Sequence, residues 1–279
     1  EMLYLVATPI GNLEDISLRA LNTLRSVDLI AAEDTRHTSK LLMHFDIKKP
    51  LVSYHEHNKD SLGEVLIGKL KNGESIAYVT DAGTPGISDP GEDLVKLAIE
   101  NGIEYTLIPG PCALIMGAVL SGFNTRSFVF EGFLPQDKKK RKEVLERISN
   151  EKRTLVFYAP PHHILSTLKE MKEYVGDRQI CLARELTKKF EELKWGSVDS
   201  LIEFYEENNP RGEFVIVIEG AREVEQVNEY EDDEIFKMVN DKIEKGHKRN
   251  NAIKEVAKET NLSRNDVYAI YEKKKGTIL

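Results

Sequence analysis

Neither of the common phosphate-binding patterns occurs in this 279-residue chain: no Gly-Lys-Ser/Thr closes a glycine-rich loop, and no G-x-G-x-x-G opens a helix after a strand. Those loops hold phosphates on backbone N–H groups, so their absence argues against an ordinary nucleoside triphosphatase or a dinucleotide dehydrogenase. Cysteine is scarce as well. Cys112 and Cys181 lie far apart in apolar surroundings, which reads as two reduced core thiols rather than a disulfide framework. The seven histidines include His55, His57 and the adjacent His162 and His163, yet no cysteine stands near them at ligand spacing, and no metal site is expected. No apolar run approaches the ~20 residues of a membrane span. Charged residues by Glu14 leave no room for a signal peptide after Leu3, and Glu1 ahead of Met2 reads as a processing scar. A soluble cytoplasmic protein that contacts no membrane is the expectation.

What the chain has is glycine and proline at strand ends. An apolar run ends at Thr80 and is followed by Gly83, Pro85, Gly86, Pro90 and Gly91, so the backbone turns there without bulky side chains covering it. Leu3 to Ala7 runs similarly into Thr8-Pro9-Ile10-Gly11, and Tyr105 to Ile108 into Pro109-Gly110-Pro111-Cys112-Ala113. Any one of these could be a plain connecting turn. Three at strand ends are the arrangement in which α/β proteins place small ligands.

The length suits two domains, each with its own core. Strand-like runs at 3–7, 28–32, 51–54, 76–80 and 105–109 alternate with helical patterns such as Ile16 to Leu24 and Glu92 to Ile99, which reads as a mostly parallel sheet wrapped by helices over residues 1–121. Ser121 to Thr125 resembles a hinge. A second α/β unit over 122–222 carries strand-like runs at 128–133, 154–158, 180–183 and 213–219, with helices from Lys140 to Ile148 and Ile164 to Tyr174. After an acidic linker, 223–234, residues 231–279 read as a helical module with helices at 234–245, 249–260 and 263–275. The last two, joined by Thr-Asn-Leu-Ser, have helix-turn-helix proportions, Ser263 and Asp266 resemble a capping box, and Arg264, Asn265, Tyr268 and Tyr271 are offered for phosphate contact and stacking.

The formal charge of −8 is unevenly spread. Residues 138 to 142 read Lys-Lys-Lys-Arg-Lys, and residues 241 to 275 carry ten Lys or Arg against six Asp or Glu. Such segments are either solvated helix faces or nucleic-acid contacts.

Five strings carry a resemblance. Thr8-Pro9-Ile10-Gly11-Asn12-Leu13, Ala32-Glu33-Asp34-Thr35-Arg36, Asp81-Ala82-Gly83-Thr84-Pro85-Gly86, Ile108-Pro109-Gly110-Pro111 and Arg184-Glu185-Leu186-Thr187-Lys188 resemble the bacterial ribosomal RNA small subunit methyltransferase I family, 2′-O-methyltransferases of the tetrapyrrole-methylase fold group. The resemblance runs in order from residue 3 to 220. Gly83-Thr84-Pro85 stands where tetrapyrrole methylases usually carry Gly-Asp-Pro, which favours the RNA branch. The resemblance implies two α/β domains with a cleft between them, S-adenosylmethionine as methyl donor, a cytidine of small-subunit (16S) ribosomal RNA as acceptor, and a homodimer; DNA is not an expected partner. By resemblance, Pro9 and Gly11 on the first loop, Ala82, Gly83, Thr84, Pro85 and Ile87 on the second, Cys112 and Ala113 after the third, and Ala159 from the second domain hold the cofactor, with Gly83 and Thr84 offering their backbone as a cradle.

A ribose hydroxyl is a poor nucleophile at neutral pH, so a base or an alkoxide-stabilising cation is required. Asp34 and Arg36 follow the second strand, and Arg184, Glu185 and Lys188 form the matching cluster in the second domain. Each group is a catalytic candidate; the alternative is that Asp34 caps a helix and the others form surface ion pairs. His55 is a further conceivable base, and sequence does not choose among them. Two other functions stay open: C- or N-methylation of a tetrapyrrole, which predicts no basic C-terminal module, and a non-catalytic RNA-binding protein on the same fold.

Overall fold

The structure, a computed structural model, describes residues 2–208, 211–222, 230–260 and 262–277. The chain packs as two compact units, Glu1–Ala221 and Arg222–Leu279.

The first unit contains two five-stranded sheets. Strands β1 (Met2–Val6), β2 (Leu29–Ala32), β3 (Leu51–Ser53), β4 (Ile76–Val79) and β5 (Glu104–Ile108) lie in the order β3-β2-β4-β1-β5, and every neighbouring pair is parallel. The central strands β2 and β4 are apolar along their whole length and fully buried, as a sheet covered on both faces requires. Helices α1 (Leu18–Ser26), α2 (Thr35–His44), α3 (Lys59–Lys71) and α4 (Gly91–Glu100) provide the cover. One core cluster joins Leu3, Leu29 and Tyr78 to Leu66 and Leu94, and the other joins Val6, Ile30 and Val79 to Leu24 and Leu42. Helix α1 starts two residues later than the apolar pattern indicates, because the Ser17 hydroxyl accepts the Ala20 N–H at 3.0 Å and sets the N-cap there.

Helix α5 (Ala113–Leu120) leads through the expected hinge into the second sheet. That segment is pinned: the buried Ser121 hydroxyl donates to the Ala118 carbonyl, and the Ser121 carbonyl accepts the Trp195 indole N–H at 2.8 Å. Strands β6 (Phe128–Phe133), β7 (Thr154–Ala159), β8 (Gln179–Arg184), β9 (Glu192–Ser197) and β10 (Phe214–Ile218) take the order β6-β7-β10-β8-β9. Only β6 and β7 are parallel. Helices α6 (Lys138–Ile148), α7 (Ile164–Val175) and α8 (Val198–Glu207) cover one face. The other face packs on α5, where an added Cβ on Gly117 would stand 2.6 Å from Val215 Cγ1, so only glycine permits this approach. Of the basic run, Lys138, Lys139 and Lys140 are exposed on the first turn of α6, behind the Asp137 N-cap.

The second unit holds α9 (Asp232–Glu244), α10 (Arg249–Glu259) and α11 (Arg264–Thr277) around Ile235, Val239, Val256 and Val267. Residues 223–229 of the expected linker, and Asn261 of the expected turn, lie outside the described residues. Asp232 to Glu234 form the first turn of α9, which the Glu231/Glu234 capping box closes. The Ser263 hydroxyl does accept the Asp266 N–H at 3.1 Å, but the shorter Asp side chain meets that hydroxyl itself. Tyr271 is not displayed: it is buried and stacked on Phe236 with ring centroids 5.3 Å apart. Tyr268 is exposed, with the Arg249 guanidinium 5.7 Å from its ring.

Candidate functional site

Strand order brings the three glycine- and proline-rich loops together. Because β4, β1 and β5 are parallel neighbours, their C-terminal ends open on one edge. Thr8 and Gly83 then form an antiparallel bridge, each N–H donating to the other's carbonyl at 3.0 Å. The Thr84 hydroxyl donates to the Pro111 carbonyl at 2.9 Å, and a Cβ on Gly110 would stand 2.9 Å from the Ala7 Cβ. Gly83 turns at φ +85° and Gly86 at +84°, backbone that favours glycine. The Gly83 N–H and carbonyl thus pair with Thr8, and its backbone conformation provides the turn.

Asp89 holds the second loop. Its carboxylate accepts the N–H groups of Gly86, Ile87 and Gly91 at 2.9, 3.1 and 2.8 Å, and the hydroxyl of the buried Tyr78 at 3.2 Å. Burial, then the charges of Asp89 and Glu33, push the Tyr78 phenol far above its ordinary range, so it remains a donor. Charge-assisted bonds of this kind are about twice as strong as neutral ones.

Between these loops and the face of the second sheet lies a cleft of about 470 Å³. Of the residues expected to hold a cofactor, Ala82, Gly83, Thr84, Ile87, Cys112, Ala113 and Ala159 line it. Pro85 is buried within its loop, and Pro9 and Gly11 line an adjoining cavity of about 420 Å³. Several lining residues were not singled out from sequence. Glu33, Asp81 and Asp89 bring carboxylates that have no ion-pair partner among the described residues. Glu33 accepts the Thr80 hydroxyl at 2.6 Å, and Asp81 accepts the Asp34 N–H at 3.0 Å. Phe133, Tyr158, Leu186 and Val215 form an apolar wall, while the Phe214 side chain points to the opposite face of β10, into the core under α8. The Tyr158 hydroxyl accepts the Leu114 N–H at 3.1 Å, and burial first, then Cys112, push its pKa up to about 12.

The polar candidates are placed unevenly. Asp34 caps α2, accepting the Arg36 N–H at 2.8 Å and gripping the Arg36 guanidinium at 2.7 and 3.1 Å. Its hydrogen bonds from the Arg36 side chain hold the carboxyl well below the usual range. Arg184 is tied to the Arg211 carbonyl at 2.6 Å and to Glu192 at 3.1 Å. Asp34, Arg36, Arg184 and Glu185 line neither cavity. Glu185 at φ +51° and Thr187 at φ +68° make a strained turn. Glu185 accepts from the Glu213 N–H and from Lys188 Nζ, which also reaches Glu213 at 2.9 Å. Burial alone would raise the Glu185 pKa, but the Glu213 N–H and Lys188 outweigh it and lower it. Burial likewise opposes the charge on Lys188, and Glu213 and Glu185 prevail. Lys188 lines the adjoining cavity, and its stem with the Thr187 hydroxyl occupies the space a Cβ on Gly11 would need. His55 instead accepts the His57 N–H at 3.2 Å and lines neither cavity.

The residues fit a cationic, adenosine-sized ligand: carboxylates at one side, apolar walls at the other, and loops whose glycines keep bulk out. Among the described residues, no group of His, Cys, Asp and Glu stands ready to hold a metal, and no helix is long and apolar enough to cross a membrane.

Residues 2–202 match the tetrapyrrole (corrin/porphyrin) methylases. Over 270 residues the chain is 45% identical to the ribosomal RNA small subunit methyltransferase I of a Synechocystis species, covering 96% of each protein. With the protein of that name from Bacillus subtilis it shares 45% over 274 residues, 97% of this chain and 94% of the relative. Among solved structures, a diphthine synthase superposes with a TM-score of 0.61 at 16% identity, covering 79% of this chain and 90% of that one. A uroporphyrin-III C-methyltransferase from Thermus thermophilus gives 0.56 at 19%, covering 77% and 93%; these two likenesses concern the fold alone.

Proposed function

The chain belongs to the tetrapyrrole methylases and, within them, to the ribosomal RNA small subunit methyltransferase I family, and from that membership we propose that it methylates a cytidine 2′-hydroxyl of small-subunit ribosomal RNA with S-adenosylmethionine. The observation that carries this reading is the cleft itself, where the carboxylates of Glu33, Asp81 and Asp89, which make no ion pair among the described residues, line one side and an apolar wall the other. Bound there, the cofactor supplies an electrophilic methyl on a sulfonium cation. The carboxylates favour that cation by charge, and Tyr158, Leu186 and Val215 exclude water from it. Methyl transfer is an in-line displacement, so most of the catalysis is positioning.

On the acceptor side Lys188 is the cation placed to stabilise a developing alkoxide, and Glu185 and Glu213 fix its position. Asp34, Arg36 and Arg184 are assigned the supporting part of holding the two strand exits. The domain division is read as 1–121 bearing the loops, 122–222 completing the cleft, and 231–279 contacting RNA through Arg249, Arg264 and Tyr268. A cytoplasmic homodimer completes the reading; Ile115 and Val119 of α5 and Leu107 of the edge strand β5 expose apolar surface that a second copy would cover.

The test is methylation of unmodified small ribosomal subunits with labelled cofactor, followed by nuclease mapping. Label on the 2′-oxygen of one cytidine is expected. Label on a base, or none with cofactor bound, would overturn the reading.

A further inference from the structure

The cavity of about 420 Å³ that adjoins the cofactor cleft differs from it in charge. Residues 37, 40, 41 and 44 of α2 share one helical face at the spacing i, i+3, i+4, i+7, and this face lines the cavity with His37, Lys40 and His44, all exposed. Lys40 has no ion-pair partner among the described residues, whereas its neighbour Arg36 is bound to Asp34. In a chain of net charge −8, a helical face that turns Lys40 and two histidines to one cavity runs against the composition. Of the two carboxylates on its wall, Glu213 is paired with Lys188 at 2.9 Å, and Asp81, at the border with the cofactor cleft, accepts the Asp34 N–H at 3.0 Å.

A second observation points to a ligand. Thr8 lines this cavity and is 2% exposed, yet its hydroxyl oxygen has no hydrogen-bond partner. Buried polar atoms without partners are uncommon and call for an explanation. A ligand hydroxyl or phosphate oxygen in the cavity would supply the missing bond. Leu13, Pro9 and Leu41 offer apolar surface for a base, and Thr80, Asp81 and Ala82 line both cavities, so a group at that shared wall lies at the border of the cofactor cleft.

We propose that this cavity receives the acceptor ribonucleotide, with a phosphate on His37, Lys40 and His44 and the ribose at the Thr80–Ala82 wall. The assignment rests on the RNA methyltransferase reading and adds to it the place and polarity of the acceptor. Neutral, phosphate-free ligands are disfavoured there, and the cofactor, a cation, is directed to the acidic cleft instead.

Small ribosomal subunits, methylated by the full chain over a range of salt concentrations, provide the test. Lys40→Ala should raise KM for the subunit about tenfold and lower the salt slope of binding by about one, since a phosphate contact is lost. S-Adenosylmethionine affinity should stay within twofold, and Thr8→Val, which keeps the shape and removes the hydroxyl, should raise KM without changing the slope. If wild type methylates subunits while Lys40→Ala, His37→Ala and His44→Ala all retain its KM and salt slope, the acceptor assignment falls and the RNA methyltransferase reading stands. If wild type methylates no RNA, both fall.

Discussion

In the first sheet every neighbouring pair of strands is parallel, so the loops leaving β4, β1 and β5 converge on one edge; in the second only β6 and β7 are parallel, and the cleft meets that sheet's face instead. The first sheet accordingly contributes backbone geometry: positive-φ glycines, a two-bond bridge between loops, and a carboxylate that gathers three N–H groups. The second contributes side chains that stand off a flat strand surface, such as Tyr158 and Val215, together with Leu186 of the turn after β8. Substitutions on the loop side should therefore damage binding and stability together, while those on the wall side should separate them.

The largest effect is expected at Gly83. Valine there forces a branched residue into φ +85° and presses its Cβ to 3.2 Å from the Ile10 side chain, so the Thr8 bridge opens. Stability should fall by roughly 2–4 kcal/mol by chemical denaturation, with cofactor binding lost as well. Unchanged stability would show that the loop tolerates the strain and that the bridge is dispensable.

Asp89→Ala leaves the N–H groups of Gly86, Ile87 and Gly91 without their acceptor. A loss of about 2–3 kcal/mol and at least tenfold weaker cofactor binding are expected, with Asn recovering part of both. Lys188→Ala belongs to the other side of the comparison. It should lower the single-turnover rate about tenfold while cofactor affinity stays within twofold, the pattern of a contact made in the transition state. Equal losses in both quantities would reduce Lys188 to a structural ion pair.

Tyr158→Phe removes one hydroxyl from the Leu114 N–H at the start of α5. About 1 kcal/mol of stability and a severalfold loss of cofactor affinity are expected. The smallest effect lies away from the cleft, just before β7. Hydrogen bonds from Arg153 lower the Glu151 pKa from 4.5 to about 2. A depressed carboxylate stabilises the fold fully above its ordinary pKa and loses that contribution as pH falls. Thermal midpoints of Glu151→Gln should thus lie below wild type above pH 4.5 and converge with it toward pH 2. Parallel curves over that range would remove the ion pair from the balance.

What could be read from sequence follows the same division. Strand exits of the first sheet are marked by Pro9, Gly83, Pro85 and Gly110, whose backbone chemistry is local, so the loops and their strands were legible. Strand β9, Glu-Leu-Lys-Trp-Gly-Ser, carries no apolar run because it is a half-exposed edge, and α5, apolar on every side, has no periodicity to read. A wall residue such as Val215 looks like any core strand residue, since only the pairing of β10 with β7 and β8 decides which face meets the cleft. Glu33 and Asp81 stood inside recognisable strings, but that both carboxylates line the cleft is a fact of three dimensions. Tyr271 shows the converse: a residue type suited to stacking on RNA is spent on the core of its own unit.

Calorimetric titration of S-adenosylmethionine into wild type and Ala82→Trp addresses the cleft most directly. Ala82 is exposed on the second loop and lines the cleft, so an indole there fills the space without entering the core. One equivalent bound by wild type, at least tenfold weaker binding by the variant, and equal thermal midpoints without ligand are the expected result. Equal affinity in the two proteins would place the cofactor elsewhere.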